Sequence, residues 1–453
     1  MILLHKGILL LLVLCSLLFS EVRFGGYLEN NTGTIFDLSA SYPDSTVSII
    51  DTASILFTDV ATLRLEGYWD FSVGGIETHL LIRKSFRPLI PFVESYKYNS
   101  AMWQISVGSI GSLLGGVTLP WDSSATPEDF WKDLNKEQQN LYSMLGSQLP
   151  YSSYYPATVL DLDRALIKLY FKGIDIYFGR QPITWGTGYA FNPTDLWNMK
   201  NPTDPQSAKL GVNALRLEIP IGALGGVSII ASPGRSPQTS SVGMRAKWNV
   251  GNFDMSVVGI SKMDADRAMM LLGRKNLVGT DLAGQIGDIG VWYEVAGGVR
   301  EENKNLTQSI QQQNPNYTFT KELLQIDIGL DYTFDNGLYL MGEYLYNNLG
   351  VSSKESYDLN GFINMFGGDA SGFAKNYGFY GGYKEVSSAL LQISLFSLTN
   401  FTDFSTVVMP GILYPFHENI EVELKSQIAL GNKKVTEFGS MRNSVSLIVK
   451  GYF

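Results

Sequence analysis

From about residue 60 to the carboxyl terminus the chain alternates apolar and polar residues with a period of two. In Ala61 to Trp69, Leu63, Leu65 and Trp69 fall on one face and Arg64, Glu66 and Tyr68 on the other. In Asp163 to Phe171, Ala165, Ile167, Leu169 and Phe171 oppose Arg164 and Lys168. Leu324, Ile326, Ile328, Leu330, Tyr332 and Phe334 form one side of a third run, against Gln325, Asp327 and Asp331. Ile420 to Ile428 repeats the scheme, with Val422 and Leu424 opposing Glu421 and Glu423. Period two is the signature of a strand with two unlike faces. Strands of soluble domains average about 5–6 residues, whereas these runs reach about 9–11, the length a tilted membrane strand needs.

Connections give an independent reading. Short turns are expected near 71–74, 172–173, 220–222, 250–252, 285–288, 335–336, 383–386 and 414–417. Longer ones are expected over 31–54, 86–157, 183–210, 298–321 and 348–374. With 269–284 taken as one strand, short and long connections alternate throughout, as a membrane barrel with short turns at one rim and long loops at the other requires. The prediction is an all-β, transmembrane antiparallel β-barrel of about 18 strands (range 14–18). It would occupy residues 21–453 as one domain. Segment 86–157 is too long for a bare loop. Within it Thr126 can cap a helix whose apolar residues Phe130, Leu134, Leu141 and Met144 recur at helical spacing. A helix-bearing loop is therefore expected, folded into the lumen or over its mouth.

Composition agrees. Charged residues are 17%, against about 25% in ordinary soluble domains, yet past residue 20 no apolar run approaches the roughly 20 residues of a membrane helix. A net charge of −9 excludes a nucleic-acid partner, which needs a basic face. The start, with His5, Lys6 and an apolar run from Ile8 to Phe19, reads as a signal peptide over 1–20, cleaved after Ser20. The one cysteine, Cys15, lies inside it and follows Leu14 rather than a small residue, which argues against lipidation. The mature chain then carries no disulfide, thiolate metal site or cysteine nucleophile. The last residues, Asn443 to Phe453, form a two-faced strand that resembles the sorting signal of bacterial outer-membrane barrels, which ends in Phe. That likeness implies barrel-assembly machinery as a partner reached through Phe453, outer-membrane lipid around the wall, and residence in the outer membrane of a Gram-negative-type (diderm) bacterium.

The most distinctive run is Phe178 to Trp197. Gly179, Arg180, Gln181, Ile183, Trp185, Gly186 and Gly188, followed by Asn192, Pro193, Thr194, Asp195 and Leu196, match a strand-to-loop motif, GRQ-x-I-x-WG-x-G then NPTDL. In these twenty or so residues the chain resembles porin-like outer-membrane barrels of the alginate-export kind. The resemblance implies such a barrel, without implying alginate as substrate. Physically, Gly186 and Gly188 permit a tight turn, Pro193 fixes φ, and Asp195 can cap the turn begun by Asn192. Arg180 is placed to pair with Asp195. The motif folds a loop inward or contacts a solute.

Inward positions are unevenly charged. Arg164, Lys168, Arg216, Arg245 and Lys247 come from earlier strands; Asp327, Asp331, Glu343, Glu421 and Glu423 come from later ones. Around a closed ring this split places a transverse field across the lumen, unless the charges pair locally, as Arg64 with Glu66 or Arg216 with Glu218. Enzyme chemistry has little footing: beyond the signal only His79 and His417 remain, and no G-x-S-x-G elbow or H-E-x-x-H helix occurs. No cofactor or metal is expected. The expected function is a porin-like channel or transporter for small polar or saccharide solutes, its selectivity set by lumen charge. The alternative is a non-conducting structural or adhesive outer-membrane barrel, and a soluble secreted sandwich is the third class. Deleting Phe453 should slow insertion and leave periplasmic, protease-sensitive protein; normal surface levels of the truncated chain would overturn the sorting reading.

Overall fold

The computed structural model describes residues 21–36, 56–85, 158–198, 200–207, 209, 211–234, 236–263, 272–302, 320–354, 374–386, 390–432, 436–441 and 443–453. The expected signal peptide and the helix-bearing loop 86–157 lie outside them. Eighteen strands form one sheet. In chain order these are β1 (Glu21–Phe36), β2 (Leu56–Phe71), β3 (Gly74–Ser85), β4 (Thr158–Phe171), β5 (Ile174–Gln181), β6 (Val212–Ile221), β7 (Gly225–Ser232), β8 (Ser241–Val250) and β9 (Phe253–Met263). There follow β10 (Leu272–Ile286), β11 (Ile289–Glu302), β12 (Thr320–Thr333), β13 (Leu338–Asn347), β14 (Asn376–Val386), β15 (Leu391–Asn400), β16 (Thr406–His417), β17 (Ile420–Leu430) and β18 (Asn443–Tyr452).

Each strand pairs antiparallel with its sequence neighbours, and β1 also pairs with β18 in register from Tyr27↔Tyr452 to Phe36↔Asn443. The sheet is therefore closed. Closure removes the free edge that hydrocarbon would leave without hydrogen-bond partners. At the seam the amide of Phe453 donates to Gly26 O and that of Gly26 to Phe453 O, both at 3.1 Å. The expected strand number and even parity are met. Two expected turns move outward: β14 runs on to Val386 and β16 to His417, so 383–386 and 414–417 are strand ends rather than turns. β1 likewise extends to Phe36, past the predicted loop start at residue 31.

The alternation predicts the two faces well. Ile328, Leu330, Leu424, Leu447 and Val449 are exposed on the outside of the wall, whereas Gln325 and Asp327 on β12 are buried inside. Edge-to-face rings, Tyr332 with Phe334 and Tyr414 with Phe416, stand beside the short turns, where amphipathic rings suit a membrane interface. A β-bulge interrupts β3–β4: His79 pairs with Arg164 and Leu80 with Leu162, leaving Asp163 as the extra residue. The bulge turns Asp163 and Arg164 inward together and keeps Leu160, Leu162 and Ile167 outside.

Ile328, 54% exposed on the outer face, tests the wall. Arginine there should cost about 2–4 kcal/mol near the midplane, while arginine at the inward Ser394 of β15 should cost far less. Equal losses in unfolding free energy for the two variants would remove the two-faced wall.

Candidate functional site

In the connection between β5 and β6, the described residues 182–198, 200–207, 209 and 211 enter the lumen and cross it. Residues 190–198 are all buried, and the side chains that hold them come from mid-strand inward positions of the far wall. Glu294 on β11 accepts hydrogen bonds from the amides of Thr187, Gly188 (2.7 Å) and Thr194 (3.1 Å) and from the Thr194 hydroxyl (2.8 Å). Glu343 on β13 accepts from the amides of Tyr189 (2.7 Å), Ala190 (3.1 Å) and Phe191 (2.6 Å). Two carboxylates thus serve six peptide N–H groups that no strand partner reaches. Because both acceptors are ionic, these bonds are of the stronger, charge-assisted kind.

Local sequence explains the path. Gly186 has φ +82°, and a Cβ there would stand 2.6 Å from Glu294 Oε1, so only glycine lets the backbone reach the carboxylate. The turn at Asn192-Pro193 closes with Asp195 N donating to Asn192 O at 3.1 Å. Asp195 Oδ1 accepts from the amides of Trp197 (3.1 Å) and Asn198 (3.0 Å), so it caps the turn that follows it and not the one before. Asn198 Nδ2 donates back to Ile183 O at 2.6 Å, and Gln181 Nε2 to Ala214 O at 3.0 Å. Trp185 and Trp197 meet edge to face at 6.3 Å. With Ile183 and Leu196 they pack onto Ile230, Val258, Ile260, Leu277 and Leu323 of β7, β9, β10 and β12. Ala190 and Phe191 pack instead against Trp292, Met341, Leu345, Tyr377 and Phe379 of β11, β13 and β14. Gln427 Nε2 on β17 reaches Thr203 O at 3.2 Å, and Lys425 Nζ lies 3.6 Å from Asp204.

One expected pairing is corrected. Arg180 faces Asp161 at 4.0 Å, and the partner of Asp195 is Lys209 at 2.9 Å. The chain turns inward directly after Gln181, which carries Asp195 away from the strand that holds Arg180. Burial pushes the Asp195 carboxyl up, with Lys209 opposing the shift. Burial, with the nearby Lys209 charge, pushes Lys200 down. Lys200 Nζ donates to the carbonyls of Gly188 and Tyr189 (2.9 Å).

The other inward residues fall into local groups. Glu77 takes Lys168 at 2.6 Å and Arg164 at 3.1 Å. Arg64 joins Glu66 at 2.6 Å and Asp163 at 3.2 Å, with His79 packed beside it. Arg216 lies over the Tyr177 ring and 3.5 Å from Glu218; Arg245 reaches Asp281 at 3.1 Å and Lys247 Asp254 at 3.1 Å. Asp331 accepts from Tyr339, Glu421 from Tyr452, and Glu423 pairs with Lys425 at 3.2 Å. The basic set of the earlier strands thus finds carboxylates close by. Of the acidic set, Asp327 and Glu343 are sealed beneath the loop instead of facing an open lumen. Sequence reasoning passed over Glu294, although it stands directly across from Asp327 in the β11–β12 ladder. Like charges opposite each other destabilise a sheet, but the register that sets these two opposite is not written in either strand alone. Among the described residues no group of three or more histidine, cysteine or acidic side chains forms a metal site.

The latch makes a sharp prediction. With no cysteine in the chain beyond Cys15, Ala190→Cys, at a position with 0% exposure, should resist maleimide in folded barrels. Adding Glu343→Ala strands three amides, at about 1–3 kcal/mol each, and should make that thiol reactive. Equal labelling with and without Glu343 would sink the latch.

No protein-family model and no curated relative matches the chain, so the alginate-export likeness rests on the motif of residues 179–196 alone. Solved structures do match. OccK8 (OprE) of Pseudomonas aeruginosa is 9% identical, with 96% of this chain and 99% of that one covered and a TM-score of 0.53. OccAB1 of Acinetobacter baumannii is 10% identical, with 96% and 97% covered and a TM-score of 0.51. OccK9 (OpdG) of Pseudomonas aeruginosa gives 10%, 96%, 99% and 0.51. At such identities the likeness is one of fold: a closed 18-stranded antiparallel barrel.

Proposed function

We propose that this chain is a passive porin-like channel of the outer membrane of a diderm bacterium, passing small polar solutes, saccharides among them. The observation that carries the reading is the loop held inside the lumen. Backbone fixed at mid-barrel depth by wall carboxylates narrows a water-filled barrel without closing its mouth from outside, and a fixed narrowing is what size selection needs. The barrels of like fold, among them OccK8 (OprE) and OccAB1, add support at the level of architecture. Selection by charge would act at short range. Arg164, Lys168, Arg180 and Arg216 are 23–30% exposed in their side chains, so they meet water while holding their carboxylates. Solutes would exchange bonds with such pairs one after another, rather than drift in a broad transverse field. Outer-membrane lipid and the assembly machinery that reads Phe453 are the partners this reading implies.

Planar-bilayer recording tests it. The mature protein should conduct, and replacing residues 187–207 with a short Gly-Ser linker should raise the unit conductance. Neutralising Arg180 and Arg216 to Gln should shift the reversal potential toward cation preference. The shift should grow as salt falls toward about 0.01 M, where screening extends over roughly 30 Å. If neither the native nor the loop-replaced barrel conducts at any voltage or salt, the non-conducting structural barrel takes the place of the channel.

A further inference from the structure

Beneath the loop lies a group of oxygens that the chain itself leaves without partners. Asp327 is fully buried, and neither carboxyl oxygen has a hydrogen-bond partner. Asn192, 3% exposed, has the same vacancy at Oδ1. The two converge. A Cβ built on Gly188 would stand 2.7 Å from Asp327 Oδ2 and 3.0 Å from Asn192 Oδ1, and would overlap the Phe191 carbonyl oxygen. Three oxygens, one from the wall and two from the loop, therefore converge beside Gly188, where a side chain would clash with them. The Glu343 carboxylate neighbours Asp327.

The donors nearby are already engaged. The amides of Tyr189, Ala190 and Phe191 go to Glu343, and those of Gly188 and Thr194 to Glu294. Lys200 Nζ is held by the carbonyls of Gly188 and Tyr189. Asn192 Nδ2 donates to Trp185 O at 3.3 Å, and its Oδ1 lies on the side of Asp327. A buried carboxylate without a partner is too costly to persist. One proton on Asp327 would satisfy a single oxygen facing Glu343, leaving the other Asp327 oxygen and Asn192 Oδ1 bare. A cation satisfies all of them at once.

We propose that a divalent cation of the Ca²⁺ type binds here, held by Asp327, Asn192 Oδ1 and the Phe191 carbonyl, with Glu343 balancing its charge. The donor set is oxygen only and mixes carboxylate, amide and peptide carbonyl, the set that suits Ca²⁺, whose ligands stand at about 2.3–2.6 Å. Two of the three ligands belong to the loop and one to the wall, so the ion ties the loop's turn to β12. This site stands whether or not the barrel conducts.

The test uses the full mature chain folded in detergent, with Tb³⁺ as probe. Trp292, packed in one cluster with Ala190 and Phe191, serves as the antenna. The native barrel should show saturable Tb³⁺ emission near one ion per chain, displaced by Ca²⁺, and Ca²⁺ should raise its melting temperature. Asp327→Asn keeps the shape and removes the charge, and should weaken Tb³⁺ binding by about tenfold or more. Asp331→Asn, on the same strand but bonded to Tyr339, should bind as the native protein does. Heat-modifiable migration on gels verifies that each variant is a folded barrel. Absence of saturable emission from the folded native barrel overturns the site, as does Asp327→Asn binding as tightly as the native chain. A melting temperature that rises in Asp327→Asn while the native barrel ignores Ca²⁺ would mean that Asp327 carries a proton, and equally overturns it.

Discussion

Hydrocarbon offers a peptide group no hydrogen-bond partner, and both halves of this fold answer to that constraint. The wall answers by closing: β1 completes the ladder of β18, and the terminal Phe453 exchanges backbone bonds with Gly26. The loop answers differently. Irregular backbone at membrane depth is tolerated only inside protein or along a water-filled cavity, and even there its buried N–H groups need acceptors. Strand neighbours cannot supply them, because wall carbonyls point along the sheet toward adjacent strands rather than into the lumen. Side-chain carboxylates can. Glu294 and Glu343 stand where β-ladder partners would have stood, and between them they take six amides.

That solution has its own cost. Acidic side chains on adjacent strands repel, and Glu294 sits directly opposite Asp327. The amides offset part of that cost for two of the three carboxylates, since each N–H dipole favours the charged form. Asp327 receives none of this. Its charge is the one that the proposed cation would compensate.

How much of this was legible in the sequence follows from the range of the interactions. Alternation in 324–334 and 420–428 placed Ile328, Asp327 and Leu424 on their proper faces, because a strand's period is a local property. The spacing of turns gave eighteen strands for the same reason. The motif Gly179 to Leu196 announced a shaped loop, since Gly186 and Pro193 act on their own backbone. What it could not announce was the far end of the contact. Thr187 and Glu294 are separated by 107 residues, and a glutamate between Tyr293 and Val295 looks like any lumen-facing residue. The pairing of Arg180 with Asp195 failed on the same ground: proximity in sequence was read as proximity in space, while the loop had already left the strand.

The bulge at Asp163 joins the loop to the charged wall. Its carboxyl holds Arg64 through Oδ2 at 3.2 Å and the Gly211 amide through Oδ1 at 3.1 Å. Gly211 ends the loop; Arg64 belongs to the network of Glu66, His79, Glu77, Arg164 and Lys168. An ordinary strand residue could not do both, because without the extra residue Asp163 would point to lipid. The loop is thus bound at its stem to the basic groups, at its middle to β11 and β13, and at its far side to β17. A segment fixed at three walls has no hinge about which to swing. In a barrel of this construction, the room left in the lumen and the positions of the charges along it are set by one connected network, so a change in either is felt by the other.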